Sequence, residues 1–74
     1  MAQDNPTRFA PGLASSLNNL SNRLGDAGDG AAALAAIREA VGTYRRLARD
    51  NPARFAPDLE RSLKIFEALE SKRP

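Results

Sequence analysis

The chain has 74 residues and a formal charge of +2, room for one domain taken as 1–74 and no more. Leu, Ile, Val and Phe number 15 and Ala adds 14, with only four aromatics (Phe9, Tyr44, Phe55, Phe66), a composition for packed helices. With no cysteine and no histidine, disulfides, thiolate metal sites and the commonest general base are excluded. No apolar run approaches the ~20 residues of a membrane span, and no signal-peptide pattern opens the chain.

An internal repeat sets the organisation. Residues 4–20 (DNPTRFAPGLASSLNNL) and 50–66 (DNPARFAPDLERSLKIF) share ten of 17 positions at a constant offset of 46. The shared positions include Asn5/Asn51, Pro6/Pro52, Phe9/Phe55, Pro11/Pro57, Leu13/Leu59, Ser16/Ser62 and Leu17/Leu63.

Helix 1 is predicted over 11–27. Asn-Pro at 5–6 disfavours the α conformation at Asn5, Pro11 suits a first helical turn, and Leu13, Leu17, Leu20 and Leu24 form one helical stripe. Gly28 is then the left-handed stop and Asp29 the cap of the next helix. Helix 2 is predicted over 29–50, with Leu34, Ile37, Val41, Tyr44, Leu47 and Ala48 on one stripe and Arg45, Arg46 and Arg49 near the negative end of its dipole. Ala33, Ala36 and Ala40, facing Ala14 and Ser21 of helix 1, offer the low profiles that close antiparallel packing needs. Helix 3 is predicted over 57–72 with Leu59, Leu63, Phe66 and Leu69, and one extra turn is expected around 53–55. The fold class is therefore all-α: an antiparallel helix pair plus a third helix.

Leu17, Leu20, Ser21, Leu24 and Gly28, followed by Ala33, Ile37 and Ala40, make a large–large–small–large set on one helix and Ala–large–Ala on the next. In these residues the chain resembles the tetratricopeptide repeat family. The Ser-Leu-Asn-Asn-Leu segment at 16–20 looks like the extended variant found in kinesin light chains and bacterial scaffold proteins. The repeat of 46 is longer than the family's usual ~34 residues, and about one and a half repeats are present. The resemblance implies a fragment of a right-handed α-solenoid and a noncatalytic protein–protein interaction or scaffold module. Its peptide or helix ligand would lie on the helix-1 face, which would carry Ser15, Asn18, Asn19, Asn22 and Asp26. Asn amides offer a donor and an acceptor each, so they can hold an extended backbone without reading its sequence. The matching positions of the second copy, Lys64, Ile65 and Ala68, do not repeat the asparagines.

Helix 3 has no following helix to cover it. A few hundred Å2 of apolar surface is worth several kcal/mol to bury at ~25 cal/mol per Å2. The second functional expectation is therefore a self-assembling structural unit, a homodimer or end-to-end stack. It would associate through Phe9 at one end and Leu63, Ile65, Phe66 and Leu69 at the other. Beginning near a repeat boundary and stopping part-way through the next, the chain reads equally as an excised piece of a longer array, an engineered unit or a small complete protein.

A third class, nucleic-acid binding through Arg38, Arg45 and Arg49, is disfavoured by the small net charge and by Glu39, Asp50 and Asp58 nearby. Catalysis has little support. Asp26 and Asp29 serve a turn, Glu67 and Glu70 lack a third ligand, and the Gly25–Gly30 stretch lacks the lysine and Ser/Thr of a phosphate loop. No cofactor is implied. The expected partner is a protein or peptide, without membrane, in the cytoplasm.

Overall fold

The computed structural model describes residues 6–72. Among them three helices follow one another: α1 (Pro6–Asp26), α2 (Gly30–Asp50) and α3 (Pro52–Ser71), with no strand. Helices α1 and α3 thus start at the Asn-Pro pairs, five residues ahead of the predicted 11 and 57, and no separate turn precedes α3.

The reason is visible at Asn51, which serves two helices at once. Its backbone N–H donates to the Leu47 carbonyl at 2.9 Å, closing α2. Its side-chain oxygen accepts the Arg54 N–H at 3.3 Å, opening α3. Pro52 occupies the first helical position, where a missing N–H costs nothing. Pro57 then lies inside the helix, and the carbonyl it fails to serve belongs to the exposed Ala53.

The α1–α2 turn is as the local chemistry requires. Gly28 adopts φ +89°, its N–H reaches the Gly25 carbonyl at 3.1 Å, and the Asp29 N–H reaches the Leu24 carbonyl at 2.9 Å. These are the two bonds of a Schellman stop. Asp29 immediately caps α2, accepting the Ala32 N–H at 3.2 Å.

Helix α2 is the shared element. Its buried residues run from Ala33 to Leu47, and the other two helices pack on it from either side. One core cluster joins Ala14, Tyr44, Leu47 and Phe55; the other joins Leu34, Ile37, Ala40 and Val41 with the partly buried Leu17, Leu63, Ile65, Phe66 and Leu69. On α1 the residues turned to α2 are small. Ala14 and Ser21 are fully buried, and the Ser21 hydroxyl donates to the Ala33 carbonyl at 2.9 Å.

This close approach corrects the predicted α1 stripe. Leu17 and Leu24 stay partly buried, but Leu13 and Leu20 are 51% and 47% exposed, because Ala14 and Ser21 hold the places against α2.

Ala33 and Ala40 are fully buried in the seam. Ala33→Leu or Ala40→Leu is expected to cost about 1–3 kcal/mol through overpacking, read as a lower urea midpoint. The same change at the exposed Ala35 should leave the midpoint nearly unmoved.

Candidate functional site

Helices α1 and α3 meet beside α2, and above their crossing a groove of about 290 Å3 opens between them. Asn22, Gly25 and Asp26 form the α1 wall. Arg61, Lys64, Ala68 and Lys72 form the α3 wall, with Ile65 and Leu69 also lining it. Three cations and one carboxylate make the groove net positive. Arg61 is ion-paired to Asp58 at 3.3 Å on its own helix.

The four asparagine and serine candidates divide. Asn22 lines the groove and Asn19 is exposed beside it. Asn18 is a correction: it is 7% exposed, and its Oδ1 accepts the Ser62 hydroxyl at 2.8 Å. Ser62 is itself fully buried. A buried amide oxygen committed to a buried hydroxyl is the bolt between α1 and α3 rather than a contact for a ligand. Ser15 is exposed on α1.

Sequence reasoning missed the α3 wall. Lys64, Ile65 and Ala68 were available as the repeat equivalents of Asn18, Asn19 and Asn22, and their departure from asparagine read as the loss of a ladder. The fold makes them the opposite side of the groove.

The proposed self-association residues also divide. Leu63, Ile65, Phe66 and Leu69 are half-buried against the Leu34–Val41 cluster, so most of the α3 stripe serves the chain's own core. Phe9 is 60% exposed and lies on α1 with Leu13 and Leu20. A larger recess of about 550 Å3 sits at the turn end, lined by Gly25, Gly28 and Gly30 with Arg38 and Lys72 as its charged side chains. Arg38 there approaches Glu70 at 3.7 Å, an exposed pair of small energetic weight. No group of three metal-ligating side chains occurs among the described residues, and no helix among them is long and apolar enough to cross a membrane.

A tetratricopeptide repeat model matches residues 13–53, more than half of the chain. The chain belongs to the tetratricopeptide repeat family. No curated protein and no solved structure shows a significant match. Membership makes this tetratricopeptide repeat chain, in general terms, a protein–protein interaction module. The matched segment holds α2 and most of α1, so the Asn19–Asn22 wall lies inside it and the cationic wall of α3 beyond it.

One titratable group, in the cluster of Ala14, Leu47 and Phe55, is displaced from its ordinary value. Burial pushes the Tyr44 phenol above 10.0, and the Asp58 carboxylate adds to this; Arg61 and the Ser15 hydroxyl act in the opposite sense. A raised acid favours the neutral form in the folded state. Its contribution is full below pH 10.0 and is lost as pH climbs through the folded-state value.

The chain has a single tyrosine. Phenolate absorbance should therefore titrate above pH 10.0 in the native chain and near it in urea. The fall in stability above pH 10.0 should be smaller in Tyr44→Phe. The Asn18–Ser62 bond yields a separate expectation. Ser62→Ala leaves a buried Oδ1 unserved and should cost about 1–3 kcal/mol. A double-mutant cycle with Asn18→Ala should show coupling of roughly 0.5–3 kcal/mol in denaturation midpoints.

Proposed function

We propose that the chain is a noncatalytic module that holds an extended acidic peptide segment in the α1–α3 groove. The observation that carries this reading is the pairing of unlike walls: the amide of Asn22, with Asn19 beside it, faces the cations of Lys64, Arg61 and Lys72. An amide can satisfy both a backbone carbonyl and a backbone N–H. Ammonium groups on the opposite wall draw in carboxylates and speed encounter. Ile65, Ala68 and Leu69 supply apolar surface for alternate side chains of an extended strand. Asp26 sets a limit at the α1 end, where a ligand carboxylate would be repelled.

The test uses a fluorescein-labelled peptide of about ten residues alternating Glu and Ala, with the Lys-Ala peptide as its control. Fluorescence anisotropy should report binding of the acidic peptide alone, weakening as salt rises. Asn22→Ala should weaken it roughly two- to tenfold, the worth of one net hydrogen bond. Lys64→Glu with Lys72→Glu should weaken it by about tenfold or more, with helical circular dichroism unchanged. Equal binding of the two peptides, or indifference to the lysine reversals, refutes the reading.

A further inference from the structure

The groove does not end where its α1 wall ends. At the turn end it adjoins the recess of about 550 Å3, and Gly25, Leu69 and Lys72 line both. Gly25 belongs to α1 and Leu69 to α3, so the two hollows meet over a sill that these two residues make.

Gly25 is not the residue that the fold asks for at this sill. It lies in the last turn of α1, and alanine holds a helix better than glycine does. Among the described residues only Gly28 has a φ in the left-handed region, so the backbone at Gly25 suits any residue. A Cβ placed on Gly25 would lie 3.4 Å from Leu69 Cδ2, an ordinary van der Waals contact. Neither backbone nor packing therefore excludes a methyl group. Its effect would be to fill the space between α1 and Leu69 and so raise the sill. Glycine here gives up helix stability without a need in the fold, which marks a place where something else comes close to the backbone.

Charge continues across the sill. Lys72 serves both hollows, and the recess adds Arg38 with no carboxylate in its lining. The Arg38–Glu70 pair at 3.7 Å is exposed, so water screens it and the guanidinium keeps much of its pull on an anion. Leu34 and Leu69 give the recess an apolar floor. The one carboxylate on the way is Asp26, next to Gly25 on the groove side.

We propose that the acidic segment held in the groove continues over Gly25 into the recess, where carboxylates further along it meet Lys72 and Arg38. This rests on the groove reading above and adds a second anchoring point to it. Asp26 fixes the order of charge in the ligand: acidic residues in the groove, a short uncharged step at the sill, and acidic residues again in the recess.

Fluorescence anisotropy with three peptides tests this. One is the ten-residue Glu-Ala peptide. The others lengthen it at both ends by an Ala-Ala step followed by Glu-Glu or, as the control of equal length, by Gln-Gln. The glutamate extension should bind about three- to tenfold tighter than the glutamine one. Arg38→Gln should cut that gain to about twofold or less. Gly25→Ala should erase the gain while raising the urea midpoint by up to roughly 0.5 M. A loss of binding joined to a gain of stability is what a purely structural glycine would not give. Equal binding of the two extended peptides overturns the proposal, as does a gain that survives Gly25→Ala. A lower urea midpoint for Gly25→Ala overturns it too, since the glycine then serves the fold. Failure of the ten-residue peptide to bind refutes the groove reading itself, and this proposal with it.

Discussion

Everything else in this fold depends on how closely α1 approaches α2. The Ser21 hydroxyl, one side-chain bond beyond Cβ, reaches a carbonyl oxygen of the facing helix at 2.9 Å. Small residues mark the closest approach: Ala14 and Ser21 on one side, Ala33 and Ala40 on the other, all fully buried, with Ile37 between the two alanines. Where Ala14 and Ser21 hold the places against α2, the leucines of α1 divide between the margins of the seam and its outer surface. Because α2 presents small residues to α1, it keeps Leu34, Val41, Tyr44 and Leu47 for the clusters that also receive α3. A domain this small has little apolar area to spare, and sharing one central helix between two flanks is how it closes a core without disulfide or metal.

The features legible in the sequence are those set by neighbours in the chain. The Gly28–Asp29 stop and cap, the alanine seam and the helix pair are local or periodic, and periodicity is what a sequence displays directly. The helix starts were misread because a first-turn preference for proline applies equally to Pro6 and Pro11, or to Pro52 and Pro57. What decides between the latter pair is the side chain of Asn51 bonding three residues ahead. Leu13 and Leu20 were misread because helical spacing says which residues share a face, not how near the partner helix comes. Asn18 could not be assigned by any local signal. Its role depends on a hydroxyl 44 residues away. Its neighbours Asn19 and Asn22 are chemically the same and remain at the surface.

The arginines illustrate how little a count of charges says about a surface. Arg61 is paired with Asp58, Arg38 lies near Glu70, and Arg54 stacks over the Phe55 ring at 4.8 Å. Stacked in this way, the guanidinium and its aliphatic stem shield an aromatic residue at the start of α3. Helical spacing sets Arg38, Arg45 and Arg49 on one side of α2, yet the first of them lies near a carboxylate of α3. One pair lies within a helix and the other between helices, and both dilute the field that a net charge of +2 would otherwise suggest.

Divergence between the two copies of the repeat then acquires a physical meaning. Three positions that face inward in α3 recur unchanged in α1: Phe9/Phe55, Leu13/Leu59 and Ser16/Ser62. Positions around the groove do not: Asn18, Asn19 and Asn22 stand against Lys64, Ile65 and Ala68. In α3 these inward positions are packed, so a change there opens a cavity or a clash. Groove positions face one another, so identity would give two like walls. Two lysine walls would repel each other across the gap. The unlike pair avoids this, with Asn18 drawn down to bind Ser62 and Lys64 left at the rim. One repeated segment thus carries both the shared apolar positions and the asymmetry of the surface between the helices.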